Sequence, residues 1–194
     1  MNKKTSYVLA VLLVSIVAVN AIFDNLPDKR VKARKPVDKS CLAILHNRNA
    51  TLMERCEFFK CFEERFPCGS SYWIINWGYK YCRRYADQSF IDKFTDVGKE
   101  LLAFINECLP NHFEKFYKSK RQLQCKKVYR DAFEAQGDCY AKVQEKFCKA
   151  FPENKKLFIE VLDPADFMNI DSITMIRKTA ENCKPELDLM SIMG

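Results

Sequence analysis

The sequence predicts an all-α protein, a disulfide-stapled helical bundle of about five helices. Three observations lead there. From Ser40 onward, apolar and aromatic residues recur at spacings of three and four, the period of helices packed on one side. Only five glycines occur in 194 residues and no Asn-Gly pair marks a hairpin, so a sheet-based fold would lack its turns. Ten cysteines, an even number, follow a leader of the secretory kind, so the thiols read as bridges before they read as metal ligands.

The elements follow in order. Lys3 and Lys4 precede the apolar run TSYVLAVLLVSIVAVNA, which closes on Val19-Asn20-Ala21. A basic start, a short apolar stretch and small residues at the last and third-last positions describe a signal peptide over residues 1–21. The alternative is an uncleaved anchor of about 20 residues. Cleavage after Ala21 would leave 194 − 21 = 173 residues, one ordinary domain with no further membrane span. Residues 22–40 hold six basic and two acidic side chains between Asp28 and Lys39 and no apolar periodicity. They read as a basic, flexible, solvated leader, with Lys29-Arg30 a candidate pro-segment cleavage site. From Cys41 onward 24 basic residues face 22 acidic ones, a net charge of +2 against +7 for the whole chain. So small an excess carries no nucleic-acid footprint.

The helical stripes come next. Leu52, Cys56, Phe59, Phe62 and Phe66 form the first; Tyr72, Ile75, Tyr79 and Cys82 form the second. Phe90, Phe94, Val97, Leu101, Phe104 and Cys108 form the third, with Ser89 as its N-cap. The segment CKKVYRDAFEAQGDCYAKVQEKFC, Cys125 to Cys148, reads as one long amphipathic helix. A last helix carries Ile173, Ile176, Ala180 and Cys183, and residues 184–194 are a short tail ending LDLMSIMG. On a helix Cys125 and Cys139 point the same way but lie roughly 21 Å apart, and Cys56 and Cys61 point about 140° apart. Neither pair meets the ~7 Å reach of a disulfide, so each thiol must find a partner on another segment.

Catalytic chemistry has little to stand on. The two histidines, His46 in ILHNRN and His112 in LPNHF, read as a surface residue and a residue at a helix boundary. The Cys-Cys-x-x-His-Asp helix of small secretory phospholipases, G-x-S-x-G, H-E-x-x-H and a glycine-rich phosphate loop are all missing. Glu63-Glu64 is ordinary helix surface. No metal, cofactor or catalytic residue is expected, and an enzyme is the weakest reading. Asn49-Ala50-Thr51 is an N-glycosylation sequon in a loop between helices.

The order of cysteines, together with two of the helices, resembles the stanniocalcins, a family of secreted, disulfide-linked glycoprotein hormones. The match runs from Cys41 to Cys183. It includes C-x4-C at Cys56–Cys61, the 13-residue gap from Cys125 to Cys139 and the 34-residue gap from Cys148 to Cys183. KFTDVGKELLAFINECL and CKKVYRDAFEAQGDCYAKV look like two of the family's helices. The resemblance implies the pairs Cys41–Cys61, Cys56–Cys82, Cys68–Cys125, Cys108–Cys139 and Cys148–Cys183. It also implies an extracellular role in calcium and phosphate handling and a protein partner, a receptor or a metalloproteinase, since vertebrate members bind and inhibit pappalysins.

The chain departs from the family in one respect. Family members join two chains through an eleventh cysteine, whereas here the ten are even in number and none follows Cys183. The expectation is therefore a monomer or a noncovalent homodimer, not a disulfide-linked one. A carrier of lipid or another small apolar ligand is the second expectation, because an aromatic stripe serves a core and a pocket alike. A structural matrix protein on the same scaffold is the third.

Overall fold

A computed structural model describes residues 26–167 together with 171, 172, 174, 175, 179 and 183. The expected signal peptide and C-terminal tail lie outside the described residues. The architecture is all-α, five bridges stapling its helices. The main elements are α1 (Lys39–His46), α2 (Leu52–Arg65), a π-helical turn (Ile74–Tyr79) running into α3 (Lys80–Tyr85), and α4 (Gln88–Ile91). After these come α5 (Asp96–Ser119), α6 (Cys125–Lys142), α7 (Gln144–Glu160) and α8 (Pro164–Phe167). Among the described residues a single small ribbon pairs β1 (Arg30–Lys32) with β2 (Gln122–Gln124), antiparallel.

Helix α2 is the central post. Thr51 starts it with a capping box, its hydroxyl accepting from the Glu54 amide while Glu54 accepts from the Thr51 amide. One face then buries Cys56, Phe58, Phe59 and Phe62 almost completely. These rings meet α5 and the π-turn edge-on: Phe62 to Phe113 at 5.7 Å, Phe58 to Tyr117 at 5.5 Å, Phe59 to Trp73 at 5.8 Å between centroids. Each such pair contributes about 0.5–1.5 kcal/mol beyond the area it buries. A second aromatic file, Phe147–Phe151–Phe158, packs α7 against Phe94 in the link between α4 and α5.

The bridges run Cys41–Cys61, Cys56–Cys82, Cys68–Cys125, Cys108–Cys139 and Cys148–Cys183, the same pairs that the resemblance implies, and leave no free cysteine. Cys125 and Cys139 each reach off their own helix, to the turn after α2 and to α5.

Four expectations of element boundaries and of the leader change on contact with the structure. The third stripe is two helices, because Thr95 and not Ser89 caps the long α5, its hydroxyl accepting from Gly98 N. The tertiary partner that fixes this break is Asn154 of α7, 2% exposed, whose amide accepts from Thr95 N at 2.9 Å and donates to Thr95 Oγ1 at 2.8 Å. The Cys125–Cys148 rod is also two helices, broken at Val143, whose ψ of 38° lies outside the helical range. His112 is not at a boundary: α5 runs on through Pro110, since Leu109, Phe113 and Tyr117 bury on the core side and outweigh the proline's lost hydrogen bond.

The fourth concerns residues 22–40, expected as a flexible leader. From Leu26 onward this segment is built into the fold. Val31 is buried opposite Leu123, Lys29 O accepts from Cys125 N at 2.7 Å, and Ala33 N donates to Arg121 O at 2.9 Å. Lys29 Nζ donates to the carbonyls of Pro67 and Cys68, at 2.8 and 2.6 Å, closing the turn after α2. Gly69 completes that turn at a φ of +106°, which a side chain would strain. A protease must draw its substrate out as an unpaired extended strand. Brief trypsin treatment of the native protein is therefore expected to spare Arg30–Val31, and N-terminal sequencing that finds Val31 exposed early would contradict the ribbon.

Candidate functional site

The stretch WIINWGY, Trp73 to Tyr79, shapes the interior. Asn76 N donates to Tyr72 O at 3.0 Å, but by Lys80 the amide reaches back five residues, to Ile75 O. This wider turn changes which residues share a face. The stripe Tyr72–Ile75–Tyr79–Cys82 assumed an α-helical period; Ile75 and Tyr79 are instead half-exposed, and Trp73, Ile74, Trp77, Gly78 and Tyr81 turn inward. Gly78 is required there. A Cβ on it would stand 2.6 Å from Trp73 Cζ3 and 3.1 Å from the Phe59 ring. Gly78→Ala is expected to cost about 1–3 kcal/mol by overpacking, read as a lower denaturant midpoint.

Between this turn and the α7 file lies an apolar cavity of about 110 Å³. Trp77 and Tyr81, Leu102 and Ile105 of α5, Phe151 and Phe158 of α7, and Met175 line it, with Ser172 among them. Trp77 Nε1 and Ser172 Oγ are buried without a hydrogen-bond partner. A cavity of about 150 Å³ holds one benzene, and drug-sized ligands take about 300–1,000 Å³. This one admits a very small apolar guest and excludes an acyl chain.

A polar cluster seals the adjoining edge. Lys80 Nζ reaches Asp163 Oδ2 and Asp166 Oδ2, each at 2.6 Å, and Tyr81 Oη donates to Asp166 Oδ2 while accepting from Asp163 N at 3.1 Å. Arg84 Nη1 holds Asp163 Oδ1 at 2.7 Å and Val161 O at 2.8 Å. Burial and the bond to Asp166 push the Tyr81 phenol up to about 12. Burial alone would depress Lys80, but its bonds to Asp163 and Asp166 outweigh that and raise it. Arg84 and Lys80 hold Asp163 below the usual carboxylate range.

Raised folded-state values stabilise the fold below the unfolded pKa and lose that effect as pH climbs through the folded one. The alkaline limb should therefore fall between about pH 10 and 12, and the acid limb below about pH 4. Tyr81→Phe is expected to flatten the alkaline limb in guanidinium midpoints taken from pH 8 to 11. An unchanged slope would assign that limb to other tyrosines; Tyr85 and Tyr140 are also raised by burial.

The residues singled out in the sequence do not converge here. His46 ends α1, exposed, with Nε2 3.0 Å from Glu114 Oε1. His112 lies half-buried against Phe113 and Phe116, its pKa lowered by burial. Asn49 is exposed in the turn between α1 and α2. Among the described residues no group of three or more His, Cys, Asp or Glu side chains could hold a metal ion, and no helix is long and apolar enough to cross a membrane. The residues that form the cavity were legible only as core aromatics, since nothing in a stripe separates a wall from a filled interior. No family model matches the chain, and it has no match among curated proteins or solved structures.

Proposed function

We propose that the chain is a secreted, stanniocalcin-like glycoprotein that acts outside the cell as a hormone or signalling regulator by binding another protein. The observation that carries this reading is the bridge pattern. Five bridges pair all ten cysteines as the family pairs them, and such a density of disulfides is compatible with an oxidising extracellular compartment. Calcium and phosphate homeostasis, and a receptor or metalloproteinase as partner, come from the resemblance alone. Asn49, exposed in its sequon, is the proposed glycosylation site. With no thiol left over, the proposed state is a monomer or noncovalent dimer, and a non-reducing gel in denaturant showing a reducible band at twice the monomer mass would contradict it.

The carrier reading is weakened because the apolar cavity, at about 110 Å³, does not hold a lipid chain. The wider grooves beside α6, about 580 and 690 Å³, are lined in part by charged side chains, Arg130, Glu134 and Asp138 in one and Glu107, Asp138 and Lys142 in the other. Two experiments separate the readings. Protein purified from the medium of expressing cells should carry no stoichiometric lipid in native mass spectrometry, and finding one would replace the signalling reading with the carrier one. Immobilised protein should retain a specific partner from extracellular fluid, and one released by excess free protein would be its target.

A further inference from the structure

We infer that the β1–β2 ribbon and its flanks form a docking surface for a sulfated polysaccharide chain. Two basic segments, distant in sequence, meet there. Residues 28–39 carry six basic and two acidic side chains; residues 115–130 carry seven basic and none acidic. The ladder pairs Arg30 with Gln124 and Lys32 with Gln122, and the Ala33–Arg121 hydrogen bond extends it toward Arg34 and Lys120. Alternation along β1 turns Val31 inward and leaves Arg30 and Lys32 outward, roughly 6–7 Å apart. Arg30, Lys32, Arg34, Lys120 and Arg121 are all exposed. Most acids nearby are engaged: Glu64 with Lys35, Glu114 with Lys118 and His46, Asp131 with Lys127, and Asp28 accepting from Gln124. Half-buried Glu63, which Lys29 and Arg34 face, accepts from Gly69 N through one oxygen and leaves the other without a partner, offsetting part of the charge at Arg34.

The cations of β1 stand opposite glutamines, but with Arg34, Lys120 and Arg121 close by, their like charges still repel. This gathering is nonetheless held by the interior. Arg65, 7% exposed, donates to the carbonyls of Lys35, Tyr117 and Lys120, and Cys68–Cys125 ties the end of β2 to the turn that Lys29 closes. A polyanion would relieve that repulsion. Its class follows from what surrounds the charges. The outward residues of the ribbon are Arg30, Lys32, Gln122 and Gln124, with no apolar anchor for a bilayer interface and no exposed aromatic on which a base would stack. What remains is an extended, repeating anion outside the cell, and sulfated polysaccharide has that chemistry. Only the source of the polyanion rests on the extracellular reading.

The test uses the purified full chain and heparin, with binding measured by calorimetry from 50 to 300 mM salt. Affinity should fall steeply with salt, each ion contact adding about one to the log–log slope. Arg30→Gln/Lys32→Gln/Lys120→Gln/Arg121→Gln should cut affinity at least 30-fold and lower that slope by two or more. Removing four exposed lysines elsewhere, Lys93, Lys142, Lys149 and Lys156, should change affinity less than threefold. Circular dichroism and thermal midpoints confirm that both variants fold. No heparin binding at 50 mM salt, equal losses in the two variants, or tighter binding to single-stranded DNA or phosphatidylserine vesicles would each overturn the proposal. Whether cells export the chain is read separately from their medium, so failure of the extracellular reading shows up there and not in the binding data.

Discussion

Replacing Arg65 with methionine is expected to lower the unfolding free energy by about 3 kcal/mol. The side chain is buried, and its guanidinium is the shared donor for the carbonyls of Lys35, Tyr117 and Lys120. Its plane also lies 5.0 Å from the Phe66 ring centroid. Methionine keeps much of the packing and none of the donors, so three backbone acceptors lose their partner, at about 1–3 kcal/mol for any that stays dry. Lysine is no substitute, since one ammonium cannot span three carbonyls set around a planar fork. The clamp joins the leader to the end of α5, so the variant should also lose heparin affinity although every cation of the ribbon remains. Guanidinium unfolding and a heparin titration check both. A loss of stability below about 1 kcal/mol would show that water reaches these carbonyls and that Arg65 is not the clamp.

Local pattern made part of the architecture legible. The Thr51 cap and the Phe59–Phe62–Phe66 stripe are written in local spacing, and α2 stands where that spacing put it. What escaped was decided by contacts remote in sequence. The break before α5 depends on Asn154, 59 residues beyond Thr95, and no local signal at Ser89 competes with it. The π-turn depends on Trp73 and Trp77 both finding the core, where they face Phe113 and Phe133, and a helical stripe drawn at one fixed period cannot show this. The leader escapes local reading for the same reason. A run of lysine and arginine reads as solvated, but residues 30, 31 and 32 find ladder partners at 124, 123 and 122, beyond any local window. The basic face has no local signature, since its two halves lie some way apart in sequence, one in the leader and one inside a nearly neutral domain.

Removing the Cys68–Cys125 bridge, as Cys68→Ala/Cys125→Ala, is expected to be the costliest single-bridge deletion. It closes the longest loop, 57 residues against 20 for Cys41–Cys61. Chain entropy then assigns about 4 kcal/mol to the first and about 3 to the second. Its cysteines are 2% and 0% exposed, so the alanines also leave a small void. Against a total stability of about 5–15 kcal/mol for one domain, that leaves a marginal fold and a lower yield of folded protein. The two double variants should rank in that order by guanidinium midpoint, and the reverse order would mean the loop model does not govern this fold. The same deletion has a local signature. Cys125 N donates to Lys29 O at the mouth of the ribbon, so freeing Cys125 should loosen β1. Trypsin should then cut Arg30–Val31 in the Cys68/Cys125 variant while sparing it in the Cys41/Cys61 variant. Equal protection in both would place the ribbon's hold on Arg65 and the ladder alone.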